Sequence, residues 1–379
     1  MFVFNCICYY GDKRKVEAQL LTIREVGGLL SALAKMKLNT EDEQLNQYIK
    51  TLKQCQKLYK KYQKYIVIVA GKQGAIAGET DVFLDYLRLS THLDLLFVDR
   101  FLKRINKDYD TITSMYQIVG YLDALIAINK FRNDLEKNGG YCKPEFCEDA
   151  VLFKSEKMYY PLLTNAVKNS LDTNRGILIT GSNATGKSTF LRTVAVNAIF
   201  AQTIYMVCAA SYRACFFKIM TVMNVKDNIF SNDSYYMMEI KSLKHVLDQI
   251  NTDMPALCCM DEILRGTNTV ERIGAASEIL NTMAKSNVIC LAASHDIELS
   301  YILEDIYDNY HFQESVSDDC VDCDYILYKD RSYTRNAISL LKCIGYSEAI
   351  VEQARQNVNE YIETGKWKKY MAIKRLTKG

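Results

Sequence analysis

Residues 181–189, Gly-Ser-Asn-Ala-Thr-Gly-Lys-Ser-Thr, place two glycines, a lysine and two hydroxyls at the Gly-x-x-x-x-Gly-Lys-Ser spacing of a phosphate-binding loop. Gly181 and Gly186 let the backbone turn its N–H groups onto an anion, and a helix starting near Lys187 adds the positive end of its dipole. At this spacing Lys187 reaches the β- and γ-phosphates of a nucleotide, and the Ser188 hydroxyl sits on Mg²⁺. Asp261 and Glu262 follow the apolar run Ala256–Met260. The first carboxylate suits Mg²⁺ and the second suits a base that polarises an attacking water. Ser294-His295-Asp296 follows a second apolar run, Val288–Ala293, so His295 is expected beside the γ-phosphate. Cys320-x-x-Cys323 has a metal-ligand spacing but no matching second pair, and is not read as a metal site.

Short apolar strands expected at 177–180, 204–208, 256–260 and 288–293 alternate with helices, the pattern of a parallel sheet whose motifs lie at strand carboxyl ends. Thr193–Tyr212 carries no charge over 20 residues, long enough to span a bilayer. Asn197 and Gln202, and its place after the phosphate loop, favour a buried helix leading into a core strand, so no membrane segment is expected. Upstream, 12–137 reads as helical. Val16–Lys37 is periodic but interrupted at Gly27-Gly28. A heptad seam then runs through Leu45, Tyr48, Leu52, Cys55, Tyr59, Tyr62 and Ile66, with Lys50, Lys53, Lys57, Lys60, Lys61 and Lys64 off it. Helices over 81–105 and 109–135 complete an elongated bundle that Gly139-Gly140 and Pro144 end. Past 310, a hairpin (311–316 and 324–329) precedes helices over 335–343 and 347–361, separated by Gly345. Ile338, Leu341, Ile344, Ile350 and Val351 are expected to pack on the α/β core or on a second subunit. The tail from Lys366 to Lys378 is basic. The expected division is 1–140, 141–310 and 311–379.

Over 379 residues the hydrophobic share is 49% and the charged share 24%, as in globular proteins, and a net charge of +2 confines any nucleic-acid surface to a local patch. Thirteen scattered cysteines, several in apolar runs, read as buried hydrophobes in a reducing cytoplasm. The first ten residues lack the basic region and cleavage pattern of a signal peptide.

The phosphate loop, Met260-Asp-Glu-Ile-Leu-Arg-Gly-Thr-Asn-Thr269 and Ala293-Ser-His-Asp296 together resemble the ATPase domain of the MutS DNA mismatch-repair family. Asp227–Ile240 resembles that family's signature segment, and with Pro161-Leu-Leu163 the resemblance covers most of 80–360. It implies an α/β P-loop NTPase fold of ABC type, a mostly parallel sheet flanked by helices, preceded by an all-α core or lever domain. By position, Gly181, Ser182, Asn183, Ala184, Thr185, Gly186, Lys187, Ser188 and Thr189 would hold ATP. Ser188 and Asp261 would hold Mg²⁺, Glu262 would activate water, and His295 would respond to the γ-phosphate. Ser234 would serve the nucleotide of a partner subunit, and Arg265–Thr269 would cross the interface. The region around Val167 is similar to the segment flanking the adenine.

The implied protein is a Mg²⁺-dependent ATPase whose homodimer, joined through the ATPase and C-terminal regions, grips DNA through its phosphates, with repair accessory proteins as possible partners. A dimeric scaffold clamped by ATP without turnover is the alternative. Three departures stand out: no Phe-x-Glu mismatch wedge precedes residue 140, Ser231-Asn232-Asp233 stand where the family has glycines, and Tyr160 stands where it has histidine. The resemblance is therefore closest to short, divergent MutS-like proteins, without an expectation of mismatch reading.

Overall fold

A computed structural model describes residues 9–11, 13–36, 43–70, 90–148, 150–182, 185–223, 235–250, 254–317, 320–331 and 337–370. In its first unit, Met1–Lys130, apolar residues at three- and four-residue spacing make each helix one-sided. Helix α1 (Glu17–Lys35) turns Ile23, Val26, Leu30 and Leu33 inward. They meet Leu52, Cys55, Leu58, Tyr62 and Tyr65 of α2 (Glu43–Ala70) and Val98 and Phe101 of α3 (Leu93–Ile105). The expected break at Gly27-Gly28 does not occur; α1 passes through both glycines. Each glycine costs a helix about 1 kcal/mol, whereas each buried aliphatic side chain contributes about 1.5–3 kcal/mol, so the stripe wins.

Of the expected seam, Leu52, Cys55 and Tyr62 are buried and Tyr48 and Tyr59 half-buried; the side chains of Leu45 and Ile66 lie outside the described residues. Lys53, Lys57 and Lys60 are exposed. The buried Tyr62 hydroxyl donates to Asp108, which also pairs with Lys61. Asp108 lies in a 3₁₀ turn (Asn106–Asp108) between α3 and the long α4 (Tyr109–Asn138). By length and composition alone, Leu95–Asn138 is apolar enough to cross a membrane.

The second unit, Phe131–Gly379, holds two sheets. Its strands are β1 (Glu145–Phe146), β2 (Phe153–Met158), β3 (Asn169–Thr173), β4 (Gly176–Thr180), β5 (Ser211–Ala214), β6 (Lys218–Val222), β7 (Ala256–Asp261), β8 (Val288–Ser294), β9 (Tyr307–Ser317) and β10 (Cys320–Lys329). Its further helices are α5 (Lys187–Thr203), α6 (Tyr235–Gln249), α7 (Thr269–Ala284), α8 (Ile297–Ile302), α9 (Ala337–Cys343) and α10 (Glu348–Thr364). The main sheet has the order β10-β9-β4-β8-β7-β6 and is parallel except for the antiparallel edge pair β9–β10. Every residue of β4 and β8 is buried, the run expected of parallel strands covered on both faces. The hairpin is part of this sheet, because β9 pairs along β4 from Gly176↔Tyr307 to Thr180↔His311.

The smaller sheet, β1-β5-β2-β3, was not expected from the sequence. The strand expected at 204–208 is also absent. That segment makes one isolated bridge, Val207 to Cys142, and Tyr205 has a left-handed φ of 54°. Its Met206, Val207 and Cys208 are fully buried through packing, without ladder pairing. The first strand of the main sheet after α5 is β6.

Two polar residues of the uncharged 193–212 run explain its path. Asn197, fully buried, donates to the Tyr159 carbonyl (3.1 Å) and accepts from the Cys208 N–H (2.7 Å). Gln202 exchanges two hydrogen bonds with the Phe217 backbone, at 3.0 and 2.8 Å. Both replace ladder bonds that these segments lack. Cys208, Cys258, Cys259 and Cys290 are buried free thiols; burial pushes Cys208 and Cys290 up to about 12.

In the C-terminal helices Val351 is buried, but Ile344 and Ile350 are exposed and Ile338 and Leu341 only partly covered. Of the five, Val351 alone is buried within the described residues of this chain.

Candidate functional site

The site begins where β4 ends. Gly181 has φ +144° and Gly186 +108°, values an L side chain rarely adopts, and Gly186 caps α5. Between them the Thr185 hydroxyl donates to the Ser182 carbonyl at 3.0 Å, closing the loop on itself. Asn183 and Ala184 lie outside the described residues. Lys187, in the first turn of α5, is 5% exposed and donates to the carbonyls of Gly181 (2.8 Å) and Ser182. Burial pulls its ammonium down to about 8, against the carboxylates of Glu262, Asp261 and Glu314, which favour the charged form.

Sheet order brings the other motifs to the loop. Strand β8 lies between β4 and β7, with Thr180 opposite Ser294 and Asp261 opposite Ala293. The residues following each strand therefore emerge side by side. His295 spans the gap: Nδ1 is 2.9 Å from the Gly181 carbonyl and Nε2 is 2.6 Å from Glu262 Oε1. Both partners are acceptors, so this bridge needs two ring N–H groups or a proton carried by Glu262. The other Glu262 oxygen pairs with Arg265 at 2.9 Å. Behind His295, Arg272 of α7 clasps Asp296 through two bonds of 2.7 and 2.6 Å. The Ser294 hydroxyl accepts from the Asp296 N–H at 3.0 Å, so Asp296 is tied from both sides.

Glu262 has φ 53° and Leu264 φ 59°. Non-glycine residues held there cost about 1–3 kcal/mol each and persist only where their surroundings over-determine them. The Glu262 N–H donates to the Ala293 carbonyl at 3.0 Å, which anchors the start of this turn to β8.

Beside the loop lies a cavity of about 510 Å³. The loop and α5 line it with Gly186, Lys187 and Ser188, the 160–167 segment with Tyr160 and Val167, and the hairpin with Tyr325. Asn197 sets the distance between the first two walls, since it joins α5 to Tyr159. Asn169 sets the third: its side chain donates to the Tyr325 carbonyl (3.0 Å) and accepts from the Leu327 N–H (2.8 Å), filling the β-bulge of β10. Neither Asn169 nor Tyr325 was singled out by the sequence reading. A tyrosine among 26, in a segment with no motif, carries no local signal. Ser234, with the whole of 224–234, lies outside the described residues.

The donor set suits a divalent cation. Asp261 Oδ1 is buried without a hydrogen-bond partner among the described residues, and Ser188 lines the adjoining cavity. A hard oxygen-binding ion such as Mg²⁺ would satisfy that carboxylate oxygen.

The fold and its glycine loop define a mixed α/β domain with an anion-binding turn at a strand carboxyl end. Residues 177–362 match the family model of MutS domain V, an ATPase domain of the P-loop type. This match, over nearly half of the chain, and the relatives below support a place for the chain in the MutS family. It is 28% identical over 248 residues to the DNA mismatch repair protein MSH3 of Debaryomyces hansenii, covering 59% of this chain and 24% of that protein. It is 27% identical over 347 residues to the DNA mismatch repair protein MutS of Methanosarcina barkeri, covering 83% and 35%. The MutS of Clostridium kluyveri is 29% identical over 298 residues, covering 73% and 32%. The chain thus spans about a quarter to a third of the length of these relatives.

Proposed function

We propose that this chain is a Mg²⁺-dependent ATPase of P-loop, ABC-type fold whose nucleotide state sets the grip of a dimer on DNA. The observation that carries the reading is that Lys187 and His295 meet on the Gly181 carbonyl, with Glu262 bonded to His295 and Asp261 ending β7 beside it, all at the ends of three adjacent strands. Lys187 would exchange the carbonyls of Gly181 and Ser182 for phosphate oxygens, and the loop from Gly181 to Thr189 would enclose them. Ser188 and Asp261 would hold Mg²⁺, which when bound draws charge from the terminal phosphate. Glu262, released from His295 and Arg265, would orient and deprotonate a water, while His295 turns to the γ-phosphate. Tyr325 and Val167 would flank the base.

The MutS relatives are DNA mismatch repair proteins, and repair or a related handling of DNA structure is the process proposed for this chain, with a cytoplasmic setting and repair accessory proteins as further partners. Ser234 would complete the partner subunit's site. The helices of Met1–Lys130 would act as the core and lever, and the exposed Ile344 and Ile350 would join the dimer interface. A second reading, a clamp that holds ATP with negligible turnover, is favoured by one feature: both oxygens of Glu262 are already engaged, by His295 and by Arg265.

ATP binding and hydrolysis, measured with Lys187→Ala and Glu262→Gln, separate these readings. The first variant is expected to lose binding. The second is expected to retain it and to hydrolyse on the order of a hundredfold more slowly. Normal turnover by Glu262→Gln sinks the assignment of the base, and tight binding without turnover in the unaltered protein favours the clamp.

A further inference from the structure

The turn that carries Glu262 is held from below by a carboxylate that the hydrolytic chemistry does not use. Glu239, on α6, is 3% exposed. Its Oε1 accepts from the backbone N–H of Leu264 (2.5 Å) and of Arg265 (3.3 Å), and the Gly266 N–H also lies within its reach. Its other oxygen, Oε2, is buried with no hydrogen-bond partner among the described residues. The turn lies tight on the helix here, because a Cβ on Gly266 would come within 3.0 Å of the Tyr236 Cβ. The two amides converge on one oxygen, next to the left-handed residues Glu262 and Leu264.

We propose that Glu239 is a positioning residue: its buried carboxylate straps the 263–265 turn to α6 and so keeps Glu262 within reach of His295. The role rests on the reading of Glu262 as the hydrolytic base. Without the strap, the turn keeps its packing on α6 but loses the hydrogen bonds that fix its backbone to that helix, and its relaxation would swing the Glu262 carboxylate away from β8. Glu239 lies in the described, helical part of Asp227–Ile240, the segment that resembles the family's signature.

The test compares the full chain with Glu239→Ala, Glu239→Asp and Glu239→Gln. Aspartate is one methylene too short to reach the turn, whereas the glutamine carbonyl can still accept from both amides. A displacement of about 1 Å at a reacting group costs on the order of a hundredfold, so Glu239→Ala and Glu239→Asp are expected to lower kcat by at least about tenfold. The Kd for a non-hydrolysable ATP analogue should stay within about threefold, and Glu239→Gln should recover most of the rate. Hydrogen exchange supplies a readout independent of turnover: the Leu264 and Arg265 amides should lose protection in the alanine and aspartate variants and keep it in the glutamine variant.

Should Glu239→Ala fail to fold, the aspartate variant carries the same comparison. Turnover by Glu239→Asp within about threefold of the unaltered chain, while Glu262→Gln is inactive, overturns the strap alone. Equal losses of kcat and of analogue affinity in all three variants also overturn it, as a general structural defect. Normal hydrolysis by Glu262→Gln instead sinks the reading of the base, and the positioning role with it, whatever the Glu239 variants do.

Discussion

The depressed Lys187 ammonium makes nucleotide affinity depend on pH in a direction the structure fixes. Burial holds this lysine at about 8 in the free protein, so it is charged below that value and neutral above it. Phosphates bound against it would raise it well above that, because they favour the ammonium form. Binding must then recharge the lysine at alkaline pH, and affinity falls in proportion to the charged fraction. Between about pH 7.5 and about pH 9.5 that fraction drops about 25-fold, equivalent to about 1.9 kcal/mol of binding. Titration calorimetry with a non-hydrolysable ATP analogue and Mg²⁺ should show this loss, together with uptake of close to one proton at the alkaline end. Lys187→Arg, charged throughout, should remove the uptake even if its affinity is lower. An affinity that stays flat over this range in the unaltered protein would refute the reasoning, since it would mean that Lys187 either keeps its ordinary basicity or does not meet the phosphates.

Other outcomes follow from single contacts. Arg272→Met strands the partly buried Asp296 carboxylate, so urea unfolding should show a loss of about 2–4 kcal/mol; a change within error would make the pair ornamental. Tyr325→Ala should weaken ATP by about tenfold if its ring stacks on the base, while triphosphate alone binds as before. Replacing Lys53, Lys57 and Lys60 together by alanine should flatten the slope of log DNA affinity against log salt by about two units and weaken matched and mismatched duplexes equally. An unchanged slope would assign that exposed helix face to solvent.

What could be read from the sequence depended on how local its cause was. The glycine loop, the Asp261-Glu262 pair and His295 each follow an apolar run directly, and adjacency along the chain announced them. β7 and β8 were legible because fully buried parallel strands leave an unbroken apolar run. The segment 204–208 shows the same run without the strand, since burial under packed side chains and burial in a sheet select the same residues. β2 and β3, by contrast, are half-covered strands with charges such as Lys154 and Asp172 paired across their outer face, and this hid them. Asn169, Glu239 and Tyr325 were illegible for another reason. Each acts through a partner far away in the chain: Asn169 reaches Leu327, and Glu239 reaches Leu264. Only the topology brings those pairs together.

The pairing of β8 with both of its neighbours also limits where this chain can change length. Thr180, Ser294 and Ala293 are matched to one another and to Asp261 by ladder register, and strands advance about 3.3 Å per residue. Deleting one residue within β8 would draw His295 back by a distance greater than its 2.6 Å bond to Glu262, and would turn its ring to the opposite face of the sheet. A residue added in the turn at 285–286, ahead of the Asn287 carbonyl that accepts from the Ala256 N–H, precedes that register and can be absorbed at the surface. The number of residues between the start of each buried strand and its terminal motif is thus as much a part of the chemistry as the side chains themselves.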